Sequence, residues 1–263
     1  MHADILDLRE FYDSGLGQLA RRMLRRQLRL LWPNVRGEVV AGLGYATPYL
    51  GPFCDEAERV IALMPASQGV SGWPRGGPGR TALTEDACLP LPDLSVDRLL
   101  LVHGLEGAEP LRPMMREIWR VLAGGGRLLV VAPNRLGLWA RADWTPFGHG
   151  NPYSASQLRQ ILRDNMFVPE REGCALFIPP LRSRFLLSTA PAWEEAGRRW
   201  FKAFAGVTMI EASKQVLSGV ARRGETMRRR RLIVPLPGGA LSGGARPAGA
   251  ARGSASSRSP KEG

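Results

Sequence analysis

The chain has 263 residues, 44% of them hydrophobic, and a formal net charge of +12 at pH 7, enough apolar content for one globular core with appendages. Its three cysteines, Cys54, Cys88 and Cys174, are far apart and form no CxxC or Cys/His cluster, which argues against a disulfide framework and against a bound metal. No run of about 18 apolar residues suggests a membrane span, and Asp4, Asp7 and Glu10 stand where a signal peptide needs a basic region, so a cytoplasmic protein is expected.

In chain order, residues 1–36 read as a helical extension. Leu16, Leu19, Ala20, Met23, Leu24, Leu28 and Leu31 mark an apolar stripe, with Arg21, Arg22, Arg25, Arg26 and Arg29 largely elsewhere on the helix. Such a helix either packs its stripe on the following domain or lies on an anionic membrane surface. Trp32-Pro33 ends it, because proline biases the preceding residue away from the helical region.

Residues 37–219 read as the main domain. Val39-Val40-Ala41 leads as a first strand into Gly42-Leu43-Gly44-Tyr45, a turn whose glycines let the backbone approach a ligand. The turn is not a dinucleotide fingerprint, since Thr47 stands where the third glycine belongs. Arg59 to Met64 is a second strand. Val96 to His103 is aliphatic without a break after Arg98, as in a strand buried on both faces. Leu111, Met115, Ile118 and Leu122 recur at helical spacing, Gly124-Gly125-Gly126 are expected to stop that helix, and Arg127 to Asn134 forms the next strand, which completes a parallel crossover unit.

The segment Leu138 to Tyr153 is rich in aromatic and polar residues at tight turns and follows the fifth strand on the side where open parallel sheets bind ligands, making it the candidate substrate wall. His149 and Tyr153 in that loop, and His103 at the end of the fourth strand, are the candidates to position a nucleophile or take its proton. Ser154 and Gln157 form a capping box. Cys174 to Ile178 reads as a sixth strand, Trp193 to Phe204 as a helix, and Val207 to Glu211 as a last strand.

From Arg222 onward ten arginines and lysines face two glutamates, which accounts for +8 of the charge. Residues 220–263 read as a basic low-complexity tail, expected to be disordered because it cannot offset the entropy of ordering. Arg228 to Arg231 can contact nucleic acid or anionic lipid by counterion release, although no aromatic residue interleaves them.

Asp86-Ala87, Leu91-Pro92, Asp93, Ser95, Asp97, His103, Leu105-Glu106, Arg120-Val121-Leu122 and Gly125-Gly126 follow one another in the order and spacing of a known family. The stretch resembles the class I S-adenosylmethionine-dependent methyltransferases of the type 11 group. The resemblance implies an α/β, Rossmann-like class I methyltransferase fold with a seven-stranded mostly parallel sheet flanked by helices, its last strand antiparallel. It also implies S-adenosylmethionine as cofactor, held by Gly42, Leu43, Gly44, Tyr45, Met64, Asp86, Ala87 and His103, with Asp86 beside the adenine amine. Val40 and Met64 stand where that family has acidic residues, and Ala46 where it has a third glycine. Two functions are therefore expected from different classes: methyl transfer to a small-molecule acceptor, or a catalytically inactive scaffold or regulatory protein of the same fold. In-line transfer from a sulfonium depends chiefly on positioning, so neither requires an obvious base.

Overall fold

The computed structural model describes residues 4–181 and 184–215; the arginine-rich tail lies outside them. Two helices lead the chain. Asp4 caps α1 (Ile5–Asp13) by accepting from the Leu6 amide at 2.8 Å, and Ser14 caps α2 (Gly15–Leu31) by accepting from the Gly17 amide. Ser14 also closes α1, its own amide donating to Glu10 and Phe11 carbonyls, so one residue serves both helices and the chain turns sharply. A Cβ on Gly17 would fall 1.9 Å from the Phe11 carbonyl oxygen, and only glycine permits the two helices to meet so closely.

Seven strands follow: β1 (Val39–Gly44), β2 (Arg59–Pro65), β3 (Thr81–Thr84), β4 (Val96–Val102), β5 (Leu122–Pro133), β6 (Phe167–Ala175) and β7 (Val207–Lys214). They form one sheet in the order β3-β2-β1-β4-β5-β7-β6. The pairings from β3 through β5 are parallel, and β7 runs antiparallel to both β5 and β6. The chain order reverses between β1 and β4, which opens a crevice at the carboxyl ends of those strands, the position where open α/β sheets hold ligands.

Side chains alternate across the sheet. Val40, Leu100, Leu129 and Met209 point into a core shared with α1, α2 and α3 (Thr47–Leu50), whereas Ala41, Leu99, Leu128 and Ile210 face α4 (Leu111–Val121) and α5 (Ala155–Asp164). The stripe of α2 is buried on the first of these faces: Leu16, Leu19, Leu24, Leu28 and Leu31 are all covered, while Arg22 and Arg26 face solvent. Each such leucine contributes about 1.5 to 3 kcal/mol relative to exposure, so the stripe is a packing surface of the domain. Among the described residues no helix is long and apolar enough to cross a membrane.

Four elements differ from the sequence reading, one of them the helix read from Trp193 to Phe204, which is α6 (Arg184–Trp200). The segment before α2 forms a separate helix, α1, because the Asp4 and Ser14 caps fix its ends. The glycine run is not a helix stop but lies inside β5: α4 already ends at Val121, where the Leu94 and Ser95 amides take the Arg120 and Val121 carbonyls, and Leu122 pairs with Val96. The sixth strand runs from Phe167 to Ala175 and stops before Leu176, whose φ is 66°. Residues 168–172 alternate only weakly in hydrophobicity because β6 is the edge of the sheet, and its outer side is wet.

Candidate functional site

The crevice is built around the ends of β1 and β4. Gly44 has φ 80°, and a Cβ there would lie 2.2 Å from the Val102 carbonyl oxygen, so the turn presses directly on β4 and the Tyr45 amide donates to that oxygen at 2.9 Å. A Cβ on Gly42 would meet Ala46 and Leu50 at 2.6 and 2.8 Å. Both glycines thus seat the first turn of α3 against the sheet. His103 follows β4 in the left-handed region, φ 51°, a conformation uncommon outside glycine and stored most often at functional sites.

That backbone turn places the imidazole in a buried polar chain. His103 Nδ1 lies 3.2 Å from Glu106 Oε1, and Nε2 lies 2.7 Å from the Tyr12 hydroxyl, which is itself 2.7 Å from the Tyr49 hydroxyl. Tyr12 comes from α1 and Tyr49 from α3, and all four residues are buried. One proton arrangement satisfies the whole chain: Nδ1–H donates to the carboxylate, Nε2 accepts from Tyr12, and the Tyr12 oxygen accepts from Tyr49. Burial raises the pKa of Tyr12 well above the ordinary phenol value, reinforced by Tyr49, and burial likewise raises Tyr49. Both hydroxyls therefore stay protonated at neutral pH. Aromatic rings close the cage: Tyr12 meets Tyr45 at 5.6 Å between centroids, and His103 meets Phe147 at 4.8 Å.

Two acceptors beside the imidazole lack donors. Gln68 donates through Nε2 to the His103 carbonyl, yet its Oε1 is buried without a hydrogen-bond partner, as is Glu106 Oε2. Leaving a buried acceptor unmet costs about 1 to 3 kcal/mol, and two such atoms next to one histidine require an explanation. Beyond them, the substrate-wall loop closes on Glu106: the Asn151 amide donates to the Glu106 carbonyl at 2.8 Å, and Gly150 at φ 73° lies against the same carbonyl.

The expected site residues divide accordingly. His103 is at the centre. Tyr153 bridges to Asn134 at the end of β5, and its phenol pKa is raised by burial and then by the Glu106 charge, so it approaches the same cluster. His149 is elsewhere. Its Nε2 meets the Asp143 carbonyl at 2.6 Å, which fastens the loop, and the residue lines a separate cavity of about 530 Å³ with Phe11, Asp143 and Trp144. Gly44 and Tyr45 border the cluster, while the Leu43 side chain packs into the opposite core. Met64 is buried at the end of β2, with its Sδ accepting from the Ser71 amide at 3.2 Å. Asp86 and Ala87 form the tip of a turn closed by a bridge between Glu85 and Cys88. Among the described residues no group of three His, Cys, Asp or Glu is arranged to hold a metal ion.

Tyr12, Tyr49 and Gln68 belong to this buried cluster but do not stand out in the sequence, whereas Glu106 falls in the ordered series Leu105-Glu106, three residues after His103. Tyr12 and Gln68 arrive from segments 91 and 35 residues away, visible only once the chain is folded.

Residues 38–130 match the family model described as a methyltransferase domain. In two strains of Mycobacterium tuberculosis, proteins named "Probable S-adenosylmethionine-dependent methyltransferase" are 37% identical over 94 residues, a match that covers 35% of this chain and 34% of each relative. The chain thus spans about a third of the length of the curated relatives it matches. Among solved structures, an S-adenosylmethionine-dependent methyltransferase of Thermotoga maritima superposes with a TM-score of 0.55 at 16% identity, covering 80% of this chain and 96% of its own. One from Mesorhizobium loti gives 0.53 at 16%, covering 71% and 95%. These likenesses concern the fold. Together with the strand order they show a class I methyltransferase-like fold, within which residues 38–130 match the methyltransferase domain.

Proposed function

We propose that this chain transfers a methyl group from S-adenosylmethionine to a small-molecule acceptor, with His103, oriented by Glu106, receiving the acceptor's proton. The observation that carries the reading is the buried Tyr12–His103–Glu106 chain at the carboxyl edge of the sheet, flanked by two acceptors that lack donors. A carboxylate on Nδ1 fixes the tautomer that leaves Nε2 free to take a proton.

The residues suit the cofactor. Gln68 Oε1 and Glu106 Oε2 are acceptors in need of hydrogen-bond donors, and one belongs to a carboxylate; the cofactor's ammonium, a charged donor, matches both requirements. Under this reading the turn Gly42, Leu43, Gly44 and Tyr45, with Met64, Gln68, Asp86, Ala87 and His103, holds the cofactor, which supplies an activated methyl group. The chain's own part is to orient and to keep water out. Glu106 sets the imidazole, Phe147 and Tyr45 wall it off, and Tyr153 offers a second protonated hydroxyl near Glu106. Tyr12 holds the Nε2 position in this structure and has to cede that hydrogen bond to an acceptor.

Met64 motivates a second reading, a scaffold or regulatory protein without catalysis. A thioether buried and engaged by the Ser71 amide cannot accept from ribose hydroxyls as a carboxylate does, and each charge-assisted bond so lost is worth about 1.5 to 3 kcal/mol. Calorimetric titration with S-adenosylmethionine and S-adenosylhomocysteine separates the two readings. Dissociation constants in the micromolar range support catalysis, and no binding at millimolar ligand leaves the scaffold. A cytoplasmic location belongs to the same proposal, supported by three free cysteines. Contact of the arginine-rich tail with nucleic acid or anionic membrane is a subsidiary proposal, supported by its charge alone.

A further inference from the structure

Tyr12 and Tyr45 border a cavity of about 300 Å³ whose walls carry Arg9, Arg21, Arg25 and Arg75. Arg9 comes from α1, Arg21 and Arg25 from α2, and Arg75 from the connection between β2 and β3. The aromatic surfaces of Tyr12, Tyr45 and Trp73 complete it. Asp13 is the one carboxylate in the lining, and it is already engaged, with Arg75 at 3.3 Å and Arg9 at 3.9 Å.

Arg21 and Arg25 have no such partner. Among the described residues neither has a carboxylate within ion-pair distance; Arg25 Nε donates only to the Pro48 carbonyl, at 2.7 Å, and Arg21 Nε is buried without a partner. The two stand one helical turn apart, where like charges repel, and Arg25 is driven toward a lower pKa by burial and then by Arg21. Arg22 and Arg26, on the outward face of the same helix, are solvated instead. Solubility explains the outward pair. It does not explain a half-buried inward pair that faces a cavity.

We infer that this cavity binds a carboxylate or phosphate group of the methyl acceptor, so that the enzyme acts on a small anionic molecule with an apolar or ring-bearing body. The planar fork of a guanidinium matches both oxyanions with paired hydrogen bonds, four such groups around one carboxylate leave the cavity strongly positive, and the aromatic walls suit the ligand's apolar part. Tyr12 and Tyr45 border both this cavity and the His103 cage, which puts the anchor of the ligand next to the proposed proton acceptor. The assignment of the ligand as acceptor rests on the methyl-transfer reading; the anion site itself does not.

The test uses the full chain. Thermal unfolding is followed while sodium phosphate, and separately sodium benzoate, replaces sodium chloride at constant ionic strength. The expected result is a saturable rise in Tm in the native protein and in Arg22→Gln/Arg26→Gln, absent in Arg21→Gln/Arg25→Gln. An equal rise in all three proteins, or no rise beyond that with chloride, overturns the site. S-adenosylhomocysteine affinity is measured in parallel by calorimetry, and a tenfold loss in Arg21→Gln/Arg25→Gln would assign the arginines to the cofactor and overturn the acceptor assignment. Because neither readout needs turnover, a protein that binds the anion but no cofactor sinks the methyl-transfer reading alone, and one that binds cofactor but no anion sinks this inference alone.

Discussion

Glu211 and Glu106 are both buried carboxylates near the sheet, and their surroundings are opposite. Glu211, on β7 toward the amino ends of the parallel strands, is fully covered and saturated: Arg98, Arg127 and Arg171 converge on it, and the Trp32 indole donates at 3.0 Å. Glu106, at the carboxyl edge, has one partner, His103, and one oxygen with none. A saturated buried charge ties elements together, here the segment after α2, β4, β5, β6 and β7. An unsaturated one is a cost that persists where a ligand is to be met. Within one domain, the degree of satisfaction separates the structural end of the sheet from the functional end.

The sharpest way to break this contrast is to neutralise each carboxylate in turn. Glu211→Gln should cost about 3 to 5 kcal/mol of stability in denaturant unfolding, because Arg171 loses its ion-pair partner and Arg98 and Arg127 are left with Glu38 and Glu170 alone, whereas Glu106→Gln should change stability by less than about 1 kcal/mol, since an amide can keep the single hydrogen bond. Equal losses would dissolve the distinction. The second test concerns chemistry. With an acceptor in hand, His103→Gln should lower kcat by roughly 10²- to 10⁴-fold at saturating cofactor, and a variant with native kcat would remove His103 from proton transfer.

A smaller effect is expected at the α1 contact. Tyr12→Phe leaves His103 Nε2 and the Tyr49 hydroxyl without their shared partner, for a loss of about 1 to 3 kcal/mol readable by chemical denaturation; a stabilised variant would mean that the cage gains nothing from the phenol. The smallest concerns a surface pair that should behave as neither carboxylate does. Hydrogen bonding from Arg120, with a further bond from the Leu89 amide, holds the Glu117 pKa below the ordinary glutamate value. Its contribution, under about 1 kcal/mol for a pair so exposed to water, is present above that value and lost as pH falls through the lower folded one. Native protein and Glu117→Gln should therefore differ in Tm at pH 6 and converge toward pH 3; a constant difference would exclude the ion pair as its source.

Much of the fold was legible because burial imposes periodicity. The unbroken aliphatic run ending in His103, the helical spacing of Leu111 to Ile118 and the apolar stripe of α2 each follow from a face that must be covered. The elements read less well were those decided by a neighbour. The glycines at 124–126 carry a turn signal, but pairing of Leu122 with Val96 keeps them in β5. Strand β6 hides its period because one edge is wet. At the site, His103 was visible as a histidine at a strand end and Tyr153 as an aromatic in the following loop. Tyr12 looked like one more helix residue, and His149, chemically as promising as His103, spends its imidazole on the Asp143 carbonyl of its own loop.

The sequence by itself determined the class of fold and the point in the chain where the crevice opens, because these follow from local pattern: buried strands at regular spacing and a glycine turn after the first. Only the tertiary structure decided what fills that crevice. Tyr12 reaches His103, Gln68 reaches the His103 carbonyl, and Arg21 and Arg25 face inward while Arg22 and Arg26 do not. The physical reason is that hydrogen bonds and charge pairing act over a few ångströms in space with no regard for separation along the chain, so the partners of a site residue carry no signature until folding brings them together.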